Sequence, residues 1–322
     1  MNPALSVVFL TTLSGTAQGL LLALFAADWA SGRHWLGSSA DAGFYAMGGF
    51  GATVLAGAGL FASFFHLGRP ERAWRSAAMW RTSWLSREVI VLPGFIALAL
   101  GYAAAHWLRF DASFFIGALA CLAAAALFVC TGMVYACIAF LREWATPLTP
   151  INFTLLGCAN GFTLAAALAA WAAPELLRFF AIGAIGFTLA GLVGRLAAWQ
   201  RNATLVPKST LQTAIGIKHG RIEQKSQGFM GGSFNTREFF HGRSKATLRT
   251  LRWVCLIGAF GLPLLSLLLL LSSLLPAATL SSASKALLVL TASVQYLGLL
   301  AERWLFFAEA NHPQNLYYQR MA

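Results

Sequence analysis

Eight long apolar stretches follow one another along the chain, and they constrain its fold more than any other feature of the sequence. A helix that crosses the hydrocarbon core of a bilayer needs about 20 predominantly apolar residues. The stretches reach that length, and the charged residues, 11% of the chain, cluster between them. The sequence therefore predicts eight spanning helices. Their predicted bounds are 4–28, 43–66, 88–108, 113–140, 150–172, 178–200, 251–275 and 283–308.

Other membrane architectures fit the sequence less well. A transmembrane β-barrel is built from segments of about 10 residues with alternating polarity, and these stretches do not alternate. The first stretch does not resemble a cleaved signal peptide. No basic residue precedes it, because Arg33 is the first cation, and its apolar run is longer than that of a signal peptide, so we predict that it is the first permanent span. We therefore predict an all-α membrane protein, a single integral membrane domain over 1–322 that forms an eight-helix bundle.

The Lys and Arg residues are distributed unevenly between the two sides of the predicted bundle. We name the side on which the first span begins the amino-terminal face. Of 23 cations, all but Arg33, Arg109, Arg178 and Lys285 fall on that face. Cytoplasmic connections carry an excess of Lys and Arg, so the distribution predicts both termini in the cytoplasm. A cationic surface that binds a partner would produce the same count, and this alternative stays open.

The first long connection on the amino-terminal face, 67–87, combines arginine with tryptophan, and we name it the Arg/Trp hairpin. Glu71 is its single acid. Its basic and aromatic residues are Arg69, Arg72, Arg75, Arg81, Arg87, Trp74, Trp80 and Trp84. Basic connections beside a membrane hold its orientation and contact anionic lipid, which is one interpretation of this segment. The other interpretation is a functional site.

The second long connection, 201–250, holds nine Lys and Arg residues against two glutamates. Phenylalanines lie among these cations, and the mixture is typical of a surface that binds an acidic protein. We therefore predict a cytoplasmic docking loop, in which Arg237, Arg243 and Lys245 contact a partner. Nucleic acid is not expected as a partner, because the charges flank membrane spans and no nucleic-acid-binding motif accompanies them.

The cysteines and histidines do not form a recognisable cofactor pattern. None of the five cysteines belongs to a C-x-x-C pair, so an iron–sulfur or zinc site is not expected. Haem held inside a bundle needs axial ligands on facing helices, and no two of the six histidines lie in the middle of facing spans. We expect neither haem nor a metal.

A histidine and a glutamate are predicted at similar depth near the amino-terminal face. His66 ends the second span, and Glu88 opens the third. An imidazole and a carboxylate placed there can pass protons between water and a ligand in the bilayer. A quinone exchanges two protons together with two electrons, so it needs such a relay. Arg69, Arg81 and Arg87 would position or tune the pair.

A purely structural interpretation of the same residues is also open. Ser86 would cap the third helix, and Glu88 would complement the dipole of that helix. His66 would then be an ordinary interfacial residue. The occurrence of the two titratable groups at one depth, within the Arg/Trp hairpin, favours the functional interpretation.

The predicted spans contain few other charged residues. Arg195 lies near the end of the sixth span, and Glu302 and Arg303 are neighbours in the eighth, where they can pair locally or with another helix. A secondary transporter usually shows more buried charge near the midplane, or two symmetric halves with broken helices. The sequence shows no clear inverted repeat, and a transporter remains an alternative function.

Three segments resemble the membrane anchor subunits of the dimethyl sulfoxide reductase family. They are HLGRPERAWR at 66–75, SWLSRE at 83–88 and SQGFMGGSFNTREFFHG at 226–242. The resemblance implies a subunit without its own metal that holds a four-cluster iron–sulfur subunit and a molybdenum catalytic subunit at the membrane. It also implies electron exchange with a quinone, ubiquinone or menaquinone. The family's histidine and glutamate tied to quinol binding correspond to His66 and Glu88.

The opening segment, MNPALSVVFLTTLSGTAQGL at 1–20, is more similar to the anchor subunits of cytoplasmic sulfite dehydrogenases. This resemblance implies quinone reduction coupled to sulfite oxidation, in a bacterial inner membrane, with the catalytic partners on the cytoplasmic side. The predicted orientation agrees with it. A quinol-oxidising anchor of a dimethyl sulfoxide reductase-type complex, whose partners face the periplasm, is the alternative within the same family.

Overall fold

The computed structural model describes residues 1–37, 40–206, 209–223, 225, 239–273 and 280–317. Within these ranges, eight helical segments are long and apolar enough to cross a membrane, as predicted. Six of them are single helices: α1 (Leu5–Gly32), α2 (Ala42–Ser63), α3 (Trp84–Trp107), α4 (Ser113–Ala136), α5 (Leu148–Ala172) and α6 (Leu177–Ala203). The seventh joins α8 (Lys245–Cys255) to α9 (Leu262–Ser273), and the eighth is α10 (Ser282–Ala308).

Short elements connect or follow the spans. In the described ranges the other α-helices are α7 (Leu211–Ile215) and α11 (Gln314–Tyr317), and the 3₁₀ turns are Phe64–His66, Pro70–Ala77 and Pro174–Leu176. The first of these turns continues α2, and the second lies within the Arg/Trp hairpin. The hairpin is therefore partly helical, because Pro70 at the first position of its turn supplies the fixed φ that a helical turn requires.

Two helix starts differ from the prediction because serine side chains cap them earlier. Ser83 accepts a 3.3 Å hydrogen bond from the amide of Ser86, so α3 begins at Trp84 rather than at 88. The expectation that Ser86 caps this helix is wrong, and Glu88 lies in its second turn. In the same way Ser244 caps α8, so this helix begins at Lys245 and takes up the last residues of the predicted docking loop.

The helices α1 and α5 form the centre of the bundle. In their most apolar 18 residues, 72% and 78% are buried, against 39% or less in the other spans. Gly19 and Gly161 allow the two backbones to touch, since a Cβ atom at Gly161 would lie 2.1 Å from the carbonyl carbon of Gly19. Small residues at such crossings are the usual means by which helices pack in lipid.

A π-helical turn, Leu256–Gly261, joins α8 to α9. Such a turn interrupts the regular hydrogen-bond ladder, and Gln295 of α10 compensates by donating 3.2 Å to the carbonyl of Ala259. Gly298 lies against this turn, where a Cβ atom would come within 2.1 Å of the Ala259 nitrogen. The wide turn therefore fits α10 closely against the seventh span.

Candidate functional site

The carboxylate of Glu88 is buried near the amino-terminal face of the bundle. Only 8% of the residue is exposed. Its Oε1 accepts a 2.6 Å hydrogen bond from the Thr131 hydroxyl of α4, within the range of a strong O–H···O⁻ contact. Glu88 follows the start of α3 by about one turn, roughly 6 Å at 1.5 Å per residue. Burial of an ionisable group inside a membrane bundle costs free energy, so such a group is a candidate functional residue.

His66 lies at the surface, at the end of the 3₁₀ turn that continues α2. Both residues belong to the ends of neighbouring helices, α2 and α3, which pack against each other. The structure records no hydrogen bond or ion pair between the two described side chains. Glu88 is thus the buried member of the predicted pair, and His66 is its solvent-accessible member.

Arg87 ties the Arg/Trp hairpin to the start of α3. Its Nε donates 2.9 Å to the carbonyl of Trp80, and its Nη2 donates 2.9 Å to the carbonyl of Arg81. The guanidinium also lies 4.3 Å from the ring centroid of Trp84. These contacts give Arg87 a structural role in holding the hairpin, which its position in the sequence did not predict.

Arg69 and Arg81 have exposed side chains at the same face. The guanidinium carbon of Arg81 lies 5.2 Å from the ring centroid of Trp80. Within the described residues, neither arginine forms an ion pair, and neither contacts the carboxylate of Glu88. Their predicted role beside a quinone therefore remains a prediction.

The hairpin and the 3₁₀ turn before it present large apolar side chains outward. Phe65 of that turn is 74% exposed, and Trp74 and Met79 of the hairpin are 71% and 62% exposed. The Arg72–Glu71 pair, 3.9 Å apart, is the ion pair recorded within the hairpin. Apolar and cationic groups thus share one exposed surface at the edge of the membrane.

The predicted docking loop is described in part. Arg237 and the rest of 226–238 lie outside the described residues, whereas Arg243 and Lys245 are exposed. The end of the loop packs beneath the last span: the Phe239 ring stacks on His312 with centroids 3.9 Å apart, and Asn315 Nδ2 donates 2.8 Å to the Phe239 carbonyl. The exposed cations Arg243 and Lys245 therefore follow a stretch of backbone that is packed against the bundle.

His241, at the end of the same loop, is 8% exposed. Its Nδ1 accepts a 2.9 Å hydrogen bond from the amide of Arg243, and its ring faces Trp304 at 6.0 Å. Burial, aided by the positive charges of the amino terminus and Arg243, lowers the pKa of this imidazole. The lowered pKa favours the neutral imidazole, which suits a residue that packs against the bundle.

A second polar cluster, which the sequence analysis did not identify, lies at the opposite face. Asp28 Oδ2 accepts a 3.1 Å hydrogen bond from the Tyr102 hydroxyl and lies 3.1 Å from His106 Nε2. The cluster joins α1 to α3. The signals for it were a lone carboxylate at the end of the first predicted span and a tyrosine–histidine pair spaced by four residues, which places both on one face of a helix.

A buried ionic cluster joins α6 to α10 near the amino-terminal face. Arg195 Nε lies 3.4 Å from Glu302 Oε1, and Arg303 Nη2 lies 3.5 Å from Glu302 Oε2. Both pairings considered from the sequence, the local one and the one between helices, are therefore present. Each of the three side chains is at most 5% exposed.

Glu309 extends this cluster toward the surface. Its carboxylate lies 3.3 Å from Arg195 Nη2 and 3.0 Å from Arg252 Nη2, and it accepts a 3.0 Å hydrogen bond from Trp199 Nε1. Three helices, α6, α8 and α10, are thus linked by one shared carboxylate.

In the described part of the chain, no group of three His, Cys, Asp or Glu residues is placed to hold a metal ion.

Eight spanning helices, with ionisable groups buried near a cationic face, define a multi-pass integral membrane protein. Residues 1–307 match the family described as DMSO reductase anchor subunit (DmsC). The chain therefore belongs to the anchor subunit family of dimethyl sulfoxide reductase. It is also 52% identical, over 335 aligned positions that cover the whole of both chains, to a sulfite dehydrogenase subunit from Allochromatium vinosum.

These comparisons confirm the family resemblance drawn from the segments at 66–75 and 83–88. An anchor subunit of this family is the membrane part of a larger complex, which implies catalytic and iron–sulfur partners. The match covers all eight spans, because it runs from the first residue almost to the end of α10.

Proposed function

We propose that this chain is the quinone-reactive anchor of a sulfite-oxidising molybdoenzyme complex. Electrons would pass from a molybdenum catalytic subunit, through a four-cluster iron–sulfur subunit, to ubiquinone or menaquinone beside Glu88. The observation that carries the proposal is the buried Glu88–Thr131 pair at the amino-terminal face. The full-length similarity to a sulfite dehydrogenase subunit supports the choice of sulfite over other substrates.

The chemistry requires a proton for each electron. Reduction of a quinone to a quinol consumes two electrons and two protons, and forms an O–H bond at each carbonyl oxygen. Glu88 would deliver a proton from inside the bundle, while the exposed His66 would exchange protons with water. Arg69 and Arg81 would stabilise negative charge on the reduced ring, and Arg87 would keep the hairpin in position above the site.

We further propose that both termini and the partners lie on the cytoplasmic side of a bacterial inner membrane. The cation distribution supports this orientation. Arg237, Arg243 and Lys245 would bind the iron–sulfur subunit. The exposure of Arg243 and Lys245, on a loop end that is packed against His312, supports the docking role.

Two alternatives remain distinguishable by experiment. A quinol-oxidising anchor of the dimethyl sulfoxide reductase type would use the same residues, with electrons passing from the quinol to the iron–sulfur partner. A secondary transporter would need neither partner nor electrons. The full-length match to an anchor family favours the anchor functions over transport.

The test uses membranes that contain the complete complex and measures sulfite-dependent quinone reduction. Glu88→Gln keeps the shape of the side chain and removes its acid, so turnover should fall on the order of 100-fold, a typical general acid–base contribution. Sulfite oxidation with a soluble electron acceptor should be unchanged. Glu175→Gln, at the opposite face, is the matched control. Wild-type quinone reduction in Glu88→Gln would overturn the proposal.

A further inference from the structure

A small polar cavity lies between α5, α6 and α10, close to the amino-terminal face. Its volume is about 10 Å³, which is the space that the centre of one water molecule needs. Among its lining residues are Glu143, Asn152, Arg195, Glu302 and Arg303. The cavity therefore touches the buried ionic cluster on one side and the connection between α4 and α5 on the other.

Four residues that line this cavity carry buried polar atoms without hydrogen-bond partners among the described residues. These atoms are Asn152 Oδ1, Arg195 Nε, Glu302 Oε2 and Arg303 Nε. The four residues are between 1% and 6% exposed. The ion pairs within the cluster, at 3.4 and 3.5 Å, do not satisfy these atoms. Buried polar groups are costly when unpaired, so a water molecule in the cavity is their natural partner.

Tyr135 lies near both Thr131, the hydrogen-bond donor of Glu88, and the aromatic rings that contact Arg303. It follows Thr131 by one turn of α4, and its ring packs against Phe153 and Phe306, with centroids 5.7 Å away in both cases. The guanidinium carbon of Arg303 lies 3.4 Å from the Phe153 centroid. Tyr135 is therefore one helical turn from the hydrogen-bond donor of Glu88, and it shares the neighbour Phe153 with Arg303, the ion-pair partner of Glu302.

Glu143 connects the cavity to the aqueous side. It belongs to the connection between α4 and α5, is partly exposed, and accepts a 3.2 Å hydrogen bond from Asn311. Glu309 keeps Arg195 paired from the other direction, at 3.3 Å. A proton that arrives on Glu302 would therefore not leave Arg195 without a partner.

We infer that Glu302 and water in this cavity form a proton-exchange site that supplies Glu88 through Tyr135. The inference rests on the proposed quinone function and adds the route by which protons reach it. Glu302 takes up a proton from water beside Glu143 and passes it, by way of the Tyr135 hydroxyl, to Glu88. Glu88 thereby regains the proton that it donated to a quinone oxygen, and Glu302 returns to its ion pairs with Arg195 and Arg303. The two electrons come from the iron–sulfur partner, and the protein ends each cycle unchanged.

The principal test compares two carboxylates of one ionic cluster in membranes that hold the complete complex. Glu302→Gln should lower sulfite-dependent quinone reduction roughly tenfold and increase its solvent deuterium isotope effect, because proton supply becomes limiting. Glu309→Gln, the matched control, removes a carboxylate that shares Arg195 and should leave both quantities near wild type. Equal effects in the two variants would assign the cluster a structural role and overturn the inference.

Two conservative variants test the route without disturbing Glu302. Tyr135→Phe keeps the packed ring and removes the hydroxyl, and Asn152→Leu fills the cavity with apolar carbon. Both should slow quinone reduction and raise the isotope effect, with activity toward a soluble acceptor unchanged. Wild-type rates and isotope effects in both variants would overturn the inference even if Glu302→Gln failed to assemble.

Glu88→Gln separates the two proposals. If it stops quinone reduction while Glu302→Gln, Tyr135→Phe and Asn152→Leu keep wild-type behaviour, the route is wrong and the quinone site stands. If Glu88→Gln itself retains full turnover, the quinone site falls, and the route falls with it.

Discussion

The Thr131 hydroxyl donates a 2.6 Å hydrogen bond to the carboxylate of Glu88, across the contact between α4 and α3. Both residues are buried. A hydrogen bond of this length between a hydroxyl and a carboxyl oxygen is strong, so the threonine holds the acid in one orientation. The pair is the best-defined polar contact at the site where we place quinone chemistry.

The first prediction concerns this hydrogen bond. Thr131→Val keeps the shape of the side chain and leaves Glu88 buried without its donor, a loss of about 1.5–3 kcal/mol for a bond to a charged group. Quinone-linked turnover should fall on the order of tenfold, measured as sulfite-dependent quinone reduction. Thr131→Ser restores the donor and should stay near wild type. Equal rates in the valine and serine variants would show that the bond has no part in turnover.

The second prediction concerns the attachment of the Arg/Trp hairpin. Arg87→Met removes the two hydrogen bonds to the carbonyls of residues 80 and 81, so the hairpin should be cleaved faster by protease in detergent-solubilised protein. Arg75→Met is the control, because that guanidinium lies 5.5 Å from the Trp74 centroid without a recorded hydrogen bond. If the two variants are cleaved at the same rate, Arg87 does not anchor the hairpin.

The third prediction concerns orientation. A carboxyl-terminal reporter that works only in the cytoplasm should be active, and an exported phosphatase fused there should be silent, because the cationic connections stay in the cytoplasm. The same reporters placed after α3, near Arg109, should behave in the opposite way. An active phosphatase at the carboxyl terminus would reverse the orientation and favour the dimethyl sulfoxide reductase type of complex.

The fourth prediction concerns docking. Reversal of charge at Arg237, Arg243 and Lys245 should release the catalytic and iron–sulfur subunits into the soluble fraction, while the anchor stays in the membrane. High salt should weaken attachment in the wild type, since exposed charges are screened beyond about 8–10 Å. Cell fractionation with activity assays of each fraction provides the measurement.

A matched reversal on the other face controls for net charge. Arg33, Arg178 and Lys285 lie on that face, and their conversion to glutamate should not release the partners. Complete retention of catalytic activity in membranes after reversal at the docking loop would exclude that surface. The exposed arginines of the hairpin would then be the next surface to examine.

The fifth prediction concerns the packing of α1 against α5. Gly161→Ala introduces a Cβ atom into backbone that lies 2.1 Å away, so the helices must separate, and overpacking of this kind costs about 1–3 kcal/mol. The midpoint of thermal unfolding in detergent should fall. Gly186→Ala in α6 is the control, since no atom lies within 4 Å of its Cβ position. Equal midpoints would show that the two helices adjust freely.

The eight spans were predictable because a segment inside a bilayer must satisfy its backbone hydrogen bonds internally, and an α-helix does so. Length and local hydropathy therefore decide where a span exists. Its ends depend on local chemistry as well. Serine caps at Ser83 and Ser244 place two helix starts four and six residues before the predicted positions. The apolar pattern alone does not predict such caps.

The candidate site was only partly visible in the sequence. His66 and Glu88 stood out because titratable residues at the ends of apolar spans are rare. Their environments did not follow from spacing: the structure buries Glu88 beside Thr131 and leaves His66 exposed. Arg87 has the chemistry of a quinone ligand but the contacts of a structural tie. These distinctions depend on how each helix is rotated about its axis.

The sequence by itself determined the membrane class of the protein, its eight spans, the asymmetry of its charge and its family. These are properties of local composition and of short motifs that need no contact between distant residues. The tertiary structure alone decided that Thr131 meets Glu88, that Asp28 meets His106, and that Arg195 meets Glu302 and Glu309. The reason is geometric, because a side chain's partner on another helix depends on the depth, rotation and crossing angle of both helices, which packing of the whole bundle sets.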